Sequence, residues 1–193
     1  SACCGELETT AQAADHVIAE RFPHLSEHQD RYPRWLTEVV ERTAELMAHW
    51  QALGFCHGVM NTDNFSAIGL TLDYGPFGFM DRFRQYHVCN HSDFEGRYAY
   101  GAQPEIGQWN CSRLLQACLS LLSDQPEAAR DIANGILERY APAFNRAMMP
   151  HLYADLPVFL GLALVLILVS YYFSFRTLRS LILPVLVVVL GVV

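Results

Sequence analysis

The sequence contains no lysine, and all 13 of its basic residues are arginine. A site in this chain that needs positive charge must therefore use a guanidinium, whose planar fork of donors differs from the point charge of an ammonium. Positive charge is also outnumbered, because 20 acidic residues leave a net charge of −7 and a pI of about 5.5. A nucleic-acid binder needs a basic face that displaces counterions from phosphate, so we set that class aside and expect no nucleic-acid partner.

Two further signals are missing, the cysteine spacing of zinc sites and a secretion signal. None of the six cysteines forms a C-x-x-C pair. The cysteines are Cys3, Cys4, Cys56, Cys89, Cys111 and Cys118. We interpret them as buried or free thiols in preference to disulfides or metal ligands. The chain begins at Ser1 and shows no charged segment followed by an apolar core, so we expect a fragment or processed product without its own secretion signal.

Charge is absent from Leu156 to Phe175, whereas residues 1–150 mix polar and apolar positions as a soluble domain does. A helix of about 20 residues is long enough to cross about 30 Å of hydrocarbon. A second apolar run, 181–193, is too short to span. We therefore expect a soluble-type domain over 1–150 and a membrane segment over 151–193 with one or two transmembrane-type helices. A buried core helix is the alternative for the first run.

Within the first 150 residues, apolar positions at helical spacing predict one long amphipathic helix, which Gly54 can close, and two further helices. The predicted helices are 34–53, 104–122 and 126–147. After Gly54 the helical period is lost. Two short strand-like pieces, Ser66 to Leu70 and Thr71 to Asp73, predict a small hairpin in this stretch.

Asp63, Asn64 and Asp73 lie on the loop and the hairpin end that follow the long helix. Phosphoryl-type transfer uses carboxylate and amide oxygens that hold Mg²⁺, and a residue that orients or deprotonates the attacking hydroxyl. Protein kinases show the same order of helix, catalytic loop with Asp and Asn, hairpin, and Asp-Phe-Gly metal site. Here Asp-Tyr-Gly at 73–75 takes the last position. From spacing alone, the alternative that Asn61, Asp63 and Asn64 are merely turn formers stays open.

Longer motifs resemble one family. The motifs are HGVMNTDN from His57 to Asn64, DYGPFGFMD from Asp73 to Asp81, CNHSD from Cys89 to Asp93 and QPEIGQWN from Gln103 to Asn110. They resemble the selenoprotein O (SelO) family, from about residue 11 to about residue 147. The resemblance implies an α+β, mainly helical fold, namely the C-lobe of a protein-kinase-like pseudokinase whose N-lobe is missing.

The resemblance also implies an activity. Such proteins are expected to bind ATP in an inverted orientation and to transfer AMP, not phosphate, to Ser, Thr or Tyr hydroxyls of proteins. On the matching positions, Asp63 would be the proton acceptor. Asn64 and Asp73 would hold Mg²⁺, with Asp73 also near the nucleotide. His57 would brace the loop, and a redox-sensitive thiol is the less favoured interpretation of Cys89.

The chain departs from this family in two respects. A complete enzyme of this kind has an N-terminal lobe with a Lys that neutralises phosphate charge, whereas this chain starts at the helices of the other lobe and has no Lys. We therefore expect a fragment of a protein adenylyltransferase that is inactive by itself. We also expect the C-terminal part of the family's chain to be replaced by a different sequence after about Ala147.

The replacement, from Tyr153 onward, resembles consecutive transmembrane helices of an RND-superfamily exporter, above all in the connector SFRTLRSLILP. In such exporters the first helix enters the cytoplasm at the arginine-containing turn, and Arg176 and Arg179 agree with this under the positive-inside rule. That orientation would place 1–150 outside, whereas the SelO-like part needs cytosolic ATP. We infer a junction of two unrelated coding segments near 148–155.

Three hypotheses follow. The first is a fragment of a SelO-like protein adenylyltransferase that uses ATP and Mg²⁺, expected in the cytoplasm, or membrane-associated if the tail inserts. The second is a membrane segment of an RND-type exporter, which contacts the bilayer through residues 156–193. The third is a catalytically dead module that binds nucleotide without turning it over. Mg²⁺-dependent ATP binding separates the first and third hypotheses from the second.

Overall fold

The structure, a computed structural model, describes residues 2–175, with side chains over 9–173. Most of this part of the chain is helical. The helices are α1 (Ala2–Arg21), α2 (Arg31–Leu53), α3 (Gln103–Ala117), α4 (Leu119–Leu122), α5 (Pro126–Leu137), α6 (Tyr140–Tyr153) and α7 (Leu156–Phe175), with 3-10 turns at Pro23–Leu25, Thr62–Asn64 and Tyr100–Ala102. The chain forms two compact units, Ser1–Met149 and Pro150–Val193.

Two strands of two residues each, β1 (Phe55–Cys56) and β2 (Gly78–Phe79), form a small antiparallel sheet. Phe55 lies opposite Phe79, and Cys56 lies opposite Gly78. The described residues are therefore mainly helical with one small sheet, as expected from the sequence. The assignment of this arrangement to a kinase-like C-lobe stays a prediction.

Helix α2 confirms the long helix predicted over 34–53 and packs against α3, α4 and α5. Its buried residues are Trp35, Leu36, Val39, Val40, Thr43, Ala44, Met47, Ala48 and Trp50. They follow the predicted apolar face. The helix ends because Gly54 takes the left-handed conformation, with φ of 66°, which glycine adopts without a steric penalty. Helix α2 therefore leads directly into β1.

The two strands predicted for a hairpin over 66–73 are not present in the structure, and their prediction is wrong. The structure has an isolated antiparallel bridge between Phe65 and Thr71 in this stretch, and the paired strands β1 and β2 lie on either side of it. A turn explains the difference, because the Gly69 N–H donates to Ser66 O at 3.4 Å. Backbone groups that bond within a turn cannot join a ladder between strands. The chain therefore reverses here without forming the predicted strands.

The other two predicted helices are each divided in the structure. The stretch 104–122 forms α3 and α4, which separate at Cys118, where the backbone N–H is shared between Leu114 O and Leu115 O. The stretch 126–147 forms α5 and α6. Periodicity does not reveal these breaks, because apolar residues on both sides of each break still join the same core.

Helix α7 carries no charge over its length and is the one helix in the described part of the chain that could cross a membrane, by length and composition. Its most apolar stretch is not buried in the structure, and the choice between a membrane span and a core helix stays a prediction. Arg176, Arg179 and the second apolar run, 181–193, lie outside the described residues. The helix is therefore a candidate span by length and composition alone.

Gly107 marks a close approach between α3 and its neighbours. A Cβ at this position would lie 2.6 Å from the Tyr140 hydroxyl and 2.8 Å from Met47 Cγ. The Tyr140 hydroxyl cannot move freely, because it donates to Pro104 O at 2.7 Å. We expect Gly107→Ala to lower the free energy of unfolding by about 1–3 kcal/mol, since an added carbon in a packed core displaces its neighbours. Urea unfolding followed by tryptophan fluorescence measures this change.

Gly135 in α5 is the matched control, because the same added Cβ would meet no atom within 4 Å. Gly135→Ala should raise the free energy of unfolding by about 0.5–1 kcal/mol, since alanine is the better helix former. The two substitutions make the same chemical change in two helices and differ in packing. Equal effects on unfolding would contradict the account of Gly107 as a packing residue.

Candidate functional site

The loop after β1 is held by two buried polar side chains, Gln103 and His57. The Gln103 side chain accepts the His57 N–H at 2.8 Å and donates to Phe55 O at 2.9 Å. His57 Nε2 donates to Leu72 O at 2.6 Å, since a carbonyl can only accept. Both side chains are at most 1% exposed, and hydrogen bonds in such surroundings are strong. They tie the start of the loop to the segment that leads into Asp73, which agrees with the bracing role predicted for His57.

Asn110 holds the same loop from α3. Its Nδ2 donates to Met60 O at 3.1 Å and to Ile106 O at 3.0 Å. Within the loop, Asn64 Nδ2 donates to Val59 O at 3.3 Å. Side-chain amides, rather than a ladder between strands, therefore determine the conformation of the loop.

The structure places the three predicted site residues at the ends of two adjoining arms. Asp63 and Asn64 lie in a 3-10 turn, and Asp73 lies beyond the bridge on the returning arm. The bridge between Phe65 and Thr71 joins these arms next to the site, and paired backbones lie about 5 Å apart. Asp63 and Asp73 are exposed, and Asn64 is half-buried. All three are therefore open to a ligand that approaches from solvent.

Asp73 has an unusual backbone conformation. Its φ of 53° is the only positive value at a non-glycine residue in the described part of the chain. Aspartate tolerates this left-handed region better than most residues. Its carbonyl accepts the Gly75 N–H at 2.7 Å, so a tight turn follows it at once. Sparsely populated conformations cluster at functional sites, which marks Asp73 as a residue to test.

The candidate metal ligands at the site are oxygen atoms. No group of three or more His, Cys, Asp or Glu side chains that could hold a metal occurs among residues 9–173. The donors at the site are instead one carboxylate, from Asp73, and one amide, from Asn64. Mg²⁺ commonly keeps several waters and takes one or two carboxylates together with substrate phosphates. Two oxygen donors do not make a closed zinc site, and the binding of Mg²⁺ by Asn64 and Asp73 stays a prediction.

The thiols whose side chains are described, Cys56, Cys89, Cys111 and Cys118, are all free, which agrees with their interpretation as thiols. Burial, reinforced by the neighbouring Cys56 thiol, raises the pKa of Cys89 to about 12. The Cys89 thiol donates to Cys56 O at 3.4 Å. Because the thiolate is the reactive form, the structure does not favour Cys89 as a redox-sensitive residue.

Sequence reasoning missed the parts played by Gln103 and Asn110, although both lie in the QPEIGQWN motif. A signal was present, because Gln103, Gly107 and Asn110 recur at helical spacing and so share one face of α3. Polar residues on a buried face need partners, which here are backbone groups of the loop. Asn90 is similar, since its Nδ2 donates to Gly58 O at 3.1 Å and stabilises the loop.

Several known proteins similar to this chain are protein nucleotidyltransferases. The chain is 68% identical over 145 residues to the protein nucleotidyltransferase YdiU of Methylococcus capsulatus, a match that covers 75% of this chain and 29% of that protein. It is 54% identical over 151 residues to YdiU of Myxococcus xanthus, covering 78% and 30%. It is 51% identical over 145 residues to YdiU of Paraburkholderia xenovorans, covering 70% and 28%. The class of protein that these relatives define is a nucleotidyltransferase.

The family profile of protein adenylyltransferase SelO matches residues 3–160. The match covers most of the chain, and the chain belongs to the SelO family. The family predicted from the motifs is thereby confirmed, and the match extends past the junction inferred near 148–155. A resemblance of the tail to an RND exporter is not shown by these comparisons. The chain spans less than a third of the length of the curated relatives named above.

Cys89 should resist alkylation near neutral pH. With a pKa of about 12, its thiolate is a minor species at pH 8 and increases about tenfold with each pH unit. Iodoacetamide should therefore modify Cys89 far more slowly in the folded protein than in urea, where an ordinary thiol has a pKa of about 8.5. Peptide mass spectrometry over pH 7 to 10 measures both rates. Equal rates in folded and unfolded protein would contradict the raised pKa.

Proposed function

We propose that this chain carries the metal- and nucleotide-binding part of a protein adenylyltransferase, which transfers AMP from ATP to Ser, Thr or Tyr hydroxyls of proteins. Family membership supports the class of reaction. The observation that carries the proposal at this site is the pair of buried tethers, Gln103 to His57 and His57 to Leu72 O. They hold the arms that bear Asp63 and Asp73 side by side, with both carboxylates exposed.

In this proposal Asn64 and Asp73 hold Mg²⁺ on the phosphates of ATP. Asn64 Nδ2 is already engaged with Val59 O, so its Oδ1 is the atom left for a cation, and this oxygen accepts no hydrogen bond from a described residue. Asp73 supplies a carboxylate oxygen from the other arm. The bound ion would stabilise negative charge on the phosphates as the reaction proceeds.

Asp63 is the proposed proton acceptor. Its side chain is exposed and makes no hydrogen bond or ion pair with any described residue, so a substrate hydroxyl can reach it. The hydroxyl oxygen forms a bond to the α-phosphorus of ATP, and the bond from that phosphorus to the bridging oxygen breaks. Pyrophosphate leaves, AMP stays on the protein hydroxyl, and Asp63 takes the proton.

The same proposal requires positive charge near the phosphates of ATP that this chain does not supply. The chain has no Lys, and no described arginine is placed at Asp63, Asn64 or Asp73 by an ion pair. We therefore propose that catalysis requires cationic groups beyond this chain, in a kinase-like architecture with ATP inverted, on the cytosolic side where ATP is abundant. A module that binds nucleotide without turnover is the rival, and an assay for AMP transfer to protein separates the two.

The metal role of Asp73 is tested with Asp73→Asn. Asparagine keeps the size of the side chain and tolerates a positive φ, so the backbone turn should survive while the negative charge is lost. If Asp73 holds Mg²⁺, the affinity for ATP in the presence of Mg²⁺ should fall at least about tenfold. Isothermal titration calorimetry of ATP, with and without Mg²⁺, measures this loss.

Asp81→Asn is the matched control, because Asp81 is exposed and lies in the segment after β2. It removes the same charge without touching either arm of the site. We expect its affinity for ATP to stay within about twofold of the unmodified chain, as is usual for surface charges. Unchanged Mg²⁺-dependent binding in Asp73→Asn would count against the metal assignment, and so would an equal loss in Asp81→Asn.

A second proposal concerns α7, which we propose inserts into a lipid bilayer. Its 20 residues, Leu156–Phe175, carry no charge, and their most apolar stretch is unburied in the structure. A helix that is apolar on all sides needs either a protein core or a membrane around it. The length of the helix equals the about 20 residues that a span requires.

Leu166→Arg tests insertion, because a charged residue near the middle of a span costs about 2.5–3.5 kcal/mol. The unmodified chain should stay in the membrane pellet after an alkaline carbonate wash, and Leu166→Arg should shift toward the supernatant. Leu166→Ala is the control and should stay in the pellet. Immunoblotting of both fractions measures the distribution. Release of the unmodified chain from the membrane by the wash would contradict the proposal.

A further inference from the structure

Two arginine side chains lie against the exposed ring of Trp109 on α3. The guanidinium carbon of Arg97 lies 5.1 Å from the centre of this ring, and that of Arg113 lies 5.3 Å from it. Trp109 is 39% exposed, and both arginines are exposed as well. The three side chains form one surface, which we call the arginine patch (Arg97, Trp109 and Arg113).

No carboxylate pairs with the arginine patch in the described part of the chain. The arginines that form ion pairs with carboxylates there are Arg31, Arg34 and Arg42. Arg113 Nε donates to the Ser112 hydroxyl at 3.4 Å, and the side chain of Arg97 donates to no described residue. Because each guanidinium carries five N–H donors, most donors of the patch are available to a ligand.

The ring of Trp109 restricts where the two guanidiniums lie. A cation over the face of an aromatic ring is attracted by the quadrupole of the ring. Since each guanidinium lies about 5 Å from the same ring centre, the two lie at most about 10 Å apart. An arginine held in this way loses less conformational freedom on binding than an unsupported one. The planar fork of a guanidinium matches the two oxygens of a carboxylate, so the patch suits a ligand with several carboxylates.

The Arg97 side of the patch adjoins the loop that carries Asp63. Arg97 lies 5.7 Å from the centre of the Tyr98 ring. The Tyr98 hydroxyl donates to Asn61 Oδ1 at 2.5 Å, and Asn61 is two positions before Asp63. The contacts of Tyr98 and Asn61 therefore lead from the patch to the proposed proton acceptor.

The α3 side of the patch adjoins the same loop. Asn110, which follows Trp109, donates to Met60 O at 3.1 Å. Arg113 and Thr62 line one cavity of about 350 Å³. Both sides of the patch are thus joined to residues 60–62, directly before Asp63. A ligand that reaches Asp63 from solvent passes close to two unpaired positive charges.

We infer that the arginine patch binds carboxylates of the protein substrate, on an acidic segment a few residues from the hydroxyl that is modified. The inference rests on the proposed function, because it takes a substrate hydroxyl at Asp63 as its starting point. An extended peptide advances about 3.3 Å per residue, so a carboxylate three to five positions from the hydroxyl lies about 10–17 Å from it. A segment of this length can extend from Asp63 past Asn61 and Tyr98 to Arg97.

The charge of the whole chain makes such recognition local. With a net charge of −7, most of the surface repels an acidic segment. Complementary charge at one surface then determines which substrate segments bind and in which register. We therefore expect acidic peptides to bind at the arginine patch and to depend on its two charges.

The test is fluorescence anisotropy of rhodamine-labelled peptides with the full chain in a non-ionic detergent. The acidic peptide has a central serine, two glycines on each side of it and three glutamates at each end. In the neutral peptide every glutamate is replaced by glutamine. We expect the acidic peptide to bind at least about tenfold more tightly at low salt, and this difference to shrink near 1 M salt, where the screening length is about 3 Å.

Single substitutions assign the binding to the patch. Arg97→Gln and Arg113→Gln change exposed side chains, so both variants are expected to fold. Each should weaken binding of the acidic peptide about three- to fivefold, and the double variant should bind it no better than the neutral peptide. Arg146→Gln is the matched control, because Arg146 is exposed on α6 and lies outside the patch. Its affinity should stay within about twofold of the unmodified chain.

The position of the serine is tested with an acidic peptide in which p-benzoylphenylalanine replaces it. Under ultraviolet light this peptide should cross-link to residues 60–65, as identified by peptide mass spectrometry. The cross-link should be lost in the double variant. Cross-links confined to other segments would overturn the relation between the patch and Asp63.

The peptide titrations need neither ATP nor Mg²⁺, so their outcome is separate from that of the Asp73→Asn experiment. Equal affinity for the acidic and neutral peptides would overturn this inference and leave the ATP site untouched. An equal loss of affinity in Arg146→Gln would also overturn it, since binding would then follow net charge alone. Binding of the acidic peptide at the patch, in a chain whose affinity for ATP does not depend on Asp73, would contradict the proposed metal site and not the patch.

Discussion

The side-chain amide of Gln103 is the contact on which the site geometry depends. Strand β1 has a partner strand on one edge, so polar groups on its other side need partners from elsewhere. Gln103 serves the carbonyl of Phe55 and the N–H of His57 at once, in a position with no solvent exposure. A buried polar group left unpaired costs about 1–3 kcal/mol. Helix α3, β1 and the loop are therefore stable only together.

Around this contact, the polar side chains that stabilise the loop are buried, whereas the two candidate site carboxylates are exposed. The imidazole of His57 and the amides of Gln103 and Asn110 are buried and bonded to the backbone. Asp63 and Asp73 remain in solvent at the ends of the two arms. The separation is physically necessary, because a buried carboxylate without a partner is strongly destabilising. The carboxylates of Asp63 and Asp73 are therefore accessible to a ligand, while buried hydrogen bonds hold the loop that carries them.

The helices of the two units differ in how their apolar residues are distributed. Helices α2 and α5 of the first unit are amphipathic and contribute to one core, whereas α7 is apolar on all sides and its most apolar stretch is unburied. The family match ends at residue 160, within the first residues of α7. The SelO sequence therefore continues into this helix, and the remainder of the tail has no counterpart in that match.

The sequence by itself determined the elements that depend on local properties. Helix α2 with its Gly54 end and the uncharged α7 follow from periodicity, glycine geometry and the absence of charge, which neighbouring residues alone establish. The motifs were also sufficient for the family, and they named Asp63, Asn64 and Asp73 as the residues to test.

Only the tertiary structure decided which residues pair with which. It placed the short strands at β1 and β2, divided the later helices near Cys118 and before Tyr140, and revealed the tethers of Gln103 and Asn110. These two side chains bond to backbone groups 46 to 50 positions earlier in the chain. Local patterns cannot show such partners, because a hydrogen bond depends on where folding brings two distant segments and not on the residues beside either one.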